Sequence, residues 1–171
     1  MPRIPALSDA QAADARPVLD AVRAKLGMVP NIIRTLAHSP AALQGYLGLN
    51  EALAGGRLSA AERETVALAV GQANACGYCL SAHTLMAKGA GLTPADVIAA
   101  RQGEGSPLAT FARRVTLSRG ALDAQDVEDA RAMGLSDAQI IEVIAHVALN
   151  TLTNYVNHIA ATEIDFPVVA V

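Results

Sequence analysis

The chain has 171 residues, the size of one domain and enough to bury about two thirds of the surface that its unfolded form exposes. With 52% hydrophobic and 17% charged residues and a mean hydropathy of +0.31, a disordered or collagen-like chain is excluded, and no apolar run approaches the roughly 20 residues that span a bilayer. Lys and Arg number 13 against 16 Asp and Glu, a net charge of −3, so there is no basic excess to attract a phosphate backbone and neither nucleic acid nor a membrane is expected as a partner.

Ala supplies 36 of the residues and aromatic residues only 3%. Ala is the best helix former and a poor strand former, so the composition points to an all-α fold, a single-domain helical bundle over residues 1–171. The first helix is expected over about 9–26, with Ala15, Val18, Leu19, Val22 and Leu26 on one face, Pro17 as a kink or restart, and Gly27 as the stop. A short helix over Asn31–His38 follows. Ser39-Pro40 then pairs an N-cap with a proline at the first helical position, and the third helix runs to about Leu53 before Gly55-Gly56, so that the N-terminal helices fill 9–54.

Ser59-x-x-Glu62 is a capping box for a helix reaching about Ala73, in which Val66, Leu68, Ala69 and Val70 leave little polar face. That helix is expected at the centre of the bundle. Asn74 is expected to cap the next one, which carries Cys76, Cys79 and His83 and stops near Gly89 or Gly91, completing a core section over 59–91. The C-terminal helices fill 93–162: one opened by Thr93-Pro94-Ala95-Asp96, one from Ser106-Pro107 to about Arg119, a short one over 123–133, and a long one capped by Ser136-x-x-Gln139 that extends to about Thr162. Phe166-Pro167 ends regular structure, and no strand or repeat is expected.

The two cysteines carry the chemistry. At i and i+3 on a helix their Cα atoms lie roughly 5 Å apart, within disulfide range, so the pair can open and close. Near a helix start the free N–H groups favour a thiolate, lowering cysteine from its ordinary pKa of about 8.5. His83 follows Cys79 by one turn on the same face, where its imidazole can take the thiol proton, and this makes Cys79 the better candidate nucleophile. Glu64 sits on an otherwise apolar face of the preceding helix (Ala60, Ala67, Leu68, Gly71), so its carboxylate needs a partner; a histidine of the neighbouring helix would serve, and a solvated pairing with Arg57 or Arg63 is the alternative.

The run Glu64 to His83 fits the pattern Glu-x11-Cys-x2-Cys-x3-His, and in this it resembles the AhpD-like alkylhydroperoxidases of the carboxymuconolactone decarboxylase superfamily. Val29-Pro30-Asn31 and the stretch from Asn154-Tyr-Val-Asn-His158 to Glu163-Ile-Asp-Phe-Pro167 are similar to the peroxidase-related branch, so the resemblance extends over most of the chain. It implies an all-helical subunit in a homotrimer or homohexamer. It also implies Cys79 as the peroxidatic cysteine, Cys76 as the resolving cysteine, and Glu64 with His83 as a proton relay. The implied reaction is cofactor-free reduction of a hydroperoxide, with an external thiol (a lipoyl protein, a thioredoxin-like protein or a small thiol) as electron donor. One position departs from that pattern: AhpD proteins carry a His directly before the second cysteine, where this chain has Tyr78, here expected as a packing or pocket-lining residue.

Other readings stay open at this stage. Cys76, Cys79 and His83 could ligate zinc with Glu64 or His158 as a fourth ligand, although structural zinc sites usually use two separated ligand pairs. A thioredoxin-like enzyme would need strands, a lactone decarboxylase or isomerase of the wider superfamily would not need two cysteines, and a non-catalytic redox-sensing helical protein would use the same thiols. In the last helix Glu142, His146, Asn150, Asn154 and His158 recur every four residues. This stripe is expected to be a solvated edge or a polar seam between subunits, with Asn154 or His158 beside the active-site pocket as the functional alternative. His38 reads as a helix-end residue. With no apolar segment behind a basic start at the N-terminus, a cytoplasmic address is expected.

Overall fold

A computed structural model describes residues 1–171, and it is helical throughout, with nine α-helices and no strand. After a single 3-10 turn, Ala13–Ala15, come α1 (Arg16–Leu26), α2 (Asn31–Leu36), α3 (Pro40–Ala54), α4 (Ala60–Ala73), α5 (Gly77–Gly89), α6 (Pro94–Gln102), α7 (Pro107–Ser118), α8 (Ala124–Ala132) and α9 (Asp137–Ala160). Pro17 stands in the first turn of α1, where its missing N–H costs nothing, so the expected 9–26 helix is divided into a turn and a helix. Gly27 ends α1 in the left-handed conformation, as a residue without Cβ can at no steric cost. Capping boxes open α4 (Ser59, Glu62), α6 (Thr93, Asp96), α8 (Asp123, Asp126) and α9 (Ser136, Gln139). No single helix is long and apolar enough to cross a membrane.

Helix α4 is the axis of the bundle, packing against α5, α6, α7 and α9. Its residues Val66 to Gly71 are all buried. One core layer joins Leu58, Val66 and Val70 to Phe111 and Val115 of α7 and to Ile140, Val143 and Val147 of α9. A second holds Leu68 of α4 against Leu80 of α5 and Val97 of α6. The third gathers Leu19, Ile32, Ile33, Leu36 and Leu43 of the N-terminal helices around Cys76, Tyr78 and Cys79, so the cysteine pair is set into apolar packing rather than a surface loop. Each fully buried Leu contributes about 1.5–3 kcal/mol by leaving water.

Helix α9 departs from expectation. Its polar stripe is neither a solvated edge nor an outward seam, because His146, Asn150 and Asn154 are buried within the protein. The apolar residues Ile141, Ile144, Leu152, Tyr155 and Ile159 face solvent instead. The reason is what the helix packs against: α9 touches α4, α7, α2, α3 and α5, and polar residues of its buried face meet the Cys79 sulfur and the Asn74 side chain there. At its start the Glu142 carboxylate accepts hydrogen bonds from the backbone N–H of Arg57 (2.7 Å) and Leu58 (3.2 Å). That carboxylate lies over Gly56, where a Cβ would come within 2.6 Å of it. His158 is exposed at the far end and donates through Nε2 to the carbonyl of Asn74 (2.9 Å).

His146 is buried with Nε2 unpartnered. Burial first, and the Arg63 charge second, hold its pKa below the usual 6.5, against an opposing pull from Glu142 and Glu64. Because the folded state resists this proton while the unfolded chain accepts it near pH 6.5, stability is unaffected above that value and falls as pH drops below it, by at most ~1.4 kcal/mol per pH unit. Urea midpoints at pH 7.5 and 5.5 are expected to differ less in His146→Gln than in the wild type. An unchanged difference would place the acid sensitivity elsewhere.

Candidate active site

Between α4 and α5 the chain turns through Ala75, whose φ of 52° is left-handed, a conformation that costs a residue with a Cβ roughly 1 kcal/mol. The turn brings the Cys76 N–H to the Gly71 carbonyl (2.8 Å) and makes Cys76 itself the N-cap of α5. Its sulfur accepts from the backbone N–H of Cys79 (3.3 Å). Asn74, expected as that cap, is used differently: its Nδ2 donates to Oδ1 of Asn154 (2.8 Å). Gly71 faces the turn at close range, and a Cβ there would rest 3.5 Å from Leu80 and 3.7 Å from Cys79, so it serves helix packing.

Cys76 and Cys79 are joined as a disulfide with Cα atoms 5.3 Å apart. They are 1% and 3% exposed. Only Cys79 borders a cavity of about 260 Å³, which His83 also lines. Apolar walls come from Leu26, Met28, Ile32 and Ile33 on one side, Leu85, Met86 and Ala82 of α5 on another, and Tyr46, Tyr78 and Phe166. Tyr46 stays a neutral phenol, its pKa raised by burial and by the nearby Glu64 charge.

His83 Nδ1 lies 2.8 Å from Glu64 Oε2. A carboxylate only accepts, so Nδ1 carries a proton, and in the uncharged tautomer Nε2 is the free base. Nε2 has no protein partner, and no hydrogen bond links His83 to either sulfur. Glu64 thus pairs with the histidine of the neighbouring helix and not with Arg57 or Arg63. No group of three or more His, Cys, Asp and Glu side chains has the geometry to hold a metal ion.

Two side chains that sequence reasoning did not assign to the thiol converge on it. Asn154 of α9 is 0% exposed and donates from Nδ2 to Cys79 Sγ (2.9 Å), and Asn157 donates to the same sulfur (3.3 Å). The Asn74 hydrogen bond occupies Asn154 Oδ1 and thereby fixes which edge of that amide meets the sulfur. Amide donors on a sulfur favour its charged form, so this pair works in the direction of a thiolate at Cys79. The polar stripe flagged Asn154 only as one alternative; Asn157, three residues on, lies off that stripe and entered only as part of the Asn154-Tyr-Val-Asn-His158 stretch, with no role attached.

Tyr78, in place of a histidine, is structural. Its hydroxyl accepts from the Ile32 N–H (3.1 Å) and donates to Asp165 (2.7 Å), whose other oxygen accepts from the Asn31 N–H (2.8 Å). Its ring meets Phe166 edge-on at 5.6 Å. Burial, reinforced by Asp165, pushes the phenol well above its usual range and keeps it neutral. Tyr78 therefore pins the C-terminal tail across the cavity. His38 donates through Nε2 to the Pro5 carbonyl (2.9 Å) as a helix-end residue.

Residues 40–117 match the model of the carboxymuconolactone decarboxylase family. No curated protein sequence matches the chain. Among solved structures, a peroxidase-related protein from Silicibacter sp. TM1040 superposes with a TM-score of 0.79 at 23% identity, covering 94% of this chain and 92% of that one. The AhpD-core, peroxidase-related protein from Ralstonia eutropha JMP134 gives a TM-score of 0.72 at 24% identity, covering 95% and 93%. The debrominase Bmp8 in complex with 2,3,4-tribromopyrrole gives 0.78 at 22% identity, covering 95% and 91%.

Proposed function

We propose, from the carboxymuconolactone decarboxylase family match over residues 40–117 and the likeness of the fold to AhpD-like peroxidase-related structures, that the chain is a thiol-dependent hydroperoxide reductase with Cys79 as nucleophile, Cys76 as resolving thiol and Glu64–His83 as proton relay. In the reduced protein His83 Nε2 takes the Cys79 proton, directly or through one water, while Glu64 holds the ring and balances its charge. The thiolate attacks the terminal oxygen of ROOH, the O–O bond breaks, and the departing RO⁻ recovers the proton from His83 as ROH. Cys79 is left as a sulfenic acid. Cys76 condenses with it, forming the disulfide and releasing water, and an external dithiol then reduces that bond, entering at Cys79 as the sulfur that borders the cavity.

The observation that carries this reading is the convergence on Cys79: two amide donors on its sulfur and a carboxylate-held histidine along the same cavity. The assay is loss of cumene hydroperoxide on incubation with the protein and either dihydrolipoamide or dithiothreitol. Turnover that disappears after alkylation of the thiols supports the reading; no consumption with either donor overturns it. Release of bromide from a brominated pyrrole without peroxide consumption would favour dehalogenation instead, Bmp8 being a debrominase.

The working form is a cytoplasmic homotrimer or homohexamer in this reading. Supporting assembly is the row of exposed apolar side chains on α9, which a closed oligomer would cover. Light scattering at micromolar concentration is expected to give at least about three times the 17.6 kDa chain mass. A monomer would contradict it.

A further inference from the structure

Asn157 does something that Asn154 cannot. Four buried side-chain polar atoms lack a hydrogen-bond partner, namely Thr84 Oγ1, His146 Nε2, Asn157 Oδ1 and Thr162 Oγ1, and of these residues only Asn157 lines the cavity beside Cys79. Asn157 is 6% exposed. Its Nδ2 is committed to Cys79 Sγ at 3.3 Å, which leaves Oδ1, on the other corner of the same planar amide, as an unpartnered acceptor that is closed off from the cavity while Cys76 and Cys79 are joined. Turning the amide over would set an oxygen against the thiolate lone pairs, so the acceptor stays on the side away from the sulfur in the reduced protein. Asn154 offers no such acceptor, because Asn74 already fills its Oδ1.

We propose that parting of the two sulfurs on reduction uncovers this acceptor, and that Asn157 is then a catalytic residue that binds both reactants at once: Nδ2 holds the Cys79 thiolate while Oδ1 accepts the terminal O–H of the hydroperoxide. The ligand class is accordingly an apolar molecule that carries an O–H donor on the very atom to be attacked. This rests on the peroxidase reading and assigns the substrate-orienting group that the reading lacks. The hydrogen bond sets the terminal oxygen within reach of Sγ before the S–O bond forms. As the O–O bond breaks, the hydrogen stays on the transferred oxygen and becomes the sulfenic acid proton, still held by Oδ1. The proton that the alkoxide needs comes from His83, which received it from the thiol, so the two protons travel separate routes and the step balances.

The test compares two electrophiles in single-turnover stopped-flow on reduced Cys76→Ser protein, at a pH where Cys79 is fully ionised. Cumene hydroperoxide presents an O–H donor; methyl methanethiosulfonate reacts with the same thiolate and has no N–H or O–H. Asn157→Leu is expected to slow the hydroperoxide at least about tenfold more than it slows the thiosulfonate, a conservative bound since one preorganised hydrogen bond lost from a transition state costs about a hundredfold to a thousandfold. Asn154→Leu is expected to slow both by the same factor, because that side chain acts on the sulfur alone. Asn157→Ala, which removes both edges of the amide with less steric change, is expected to reproduce the selective loss if the leucine variant misfolds. Equal slowing of both reagents in the Asn157 variants overturns the substrate contact while leaving the peroxidase reading intact. A parent that reacts with the thiosulfonate but not with the hydroperoxide overturns both.

Discussion

Cys79→Ser is expected to abolish hydroperoxide turnover, by at least about a thousandfold, whereas Cys76→Ser is expected to complete one reaction and stop. The asymmetry follows from position. Cys79 is the sulfur on the cavity, and it receives the side-chain amide donors, whereas Cys76 caps α5 and takes only the backbone N–H of Cys79. A serine at 79 has too high a pKa to ionise there. A serine at 76 leaves the first step intact and removes only the thiol that would resolve it, so a sulfenic acid accumulates on Cys79 and dimedone traps it. A stable sulfenate on Cys76 in the Cys79→Ser protein would reverse the assignment.

His83→Ala is expected to slow hydroperoxide consumption by about 100-fold or more, at the low end of what positioned acid–base groups contribute. It removes both the acceptor for the Cys79 proton and the donor to the departing alkoxide. Alkylation of Cys79 by iodoacetamide should shift to higher pH at the same time, since an imidazolium next to a thiolate stabilises it. The shift is expected to be incomplete, because the Asn154 and Asn157 donors remain on the sulfur. Glu64→Gln should act in the same direction but more weakly: the glutamine keeps a hydrogen bond to Nδ1 through its carbonyl and loses the charge that balances the imidazolium. Unchanged alkylation profiles in both variants would make the Glu64–His83 pair a structural element only.

Much of the arrangement is legible in the chain because it is local. The capping boxes at Ser59, Thr93 and Ser136 each need residues only three apart, and each opens its helix where the pattern puts it. The Glu64–His83 contact could be anticipated because a carboxylate alone on an apolar face demands a partner, and the adjacent helix offers one at 2.8 Å. Local rules failed where two of them competed. Asn74 has the better capping side chain, yet Cys76 takes the cap because the left-handed turn at Ala75 moves the helix start two residues on and frees Asn74 for Asn154. Helix α9 failed for a different reason: amphipathicity says that polar residues face water, but here the polar face meets a sulfur and the end of α4, contacts that join residues 75 and 78 apart in sequence. Nothing in the periodicity of one helix reports what it will be packed against.

Intact-mass spectrometry of the fully reduced protein, treated with one equivalent of cumene hydroperoxide and then with dithiothreitol, tests the redox role of the pair most directly. A thiol peroxidase of this kind loses two hydrogens per chain, titrates from two free thiols to none, releases one equivalent of cumyl alcohol, and regains both hydrogens on reduction. Two thiols left intact, with the hydroperoxide unconsumed, would contradict it.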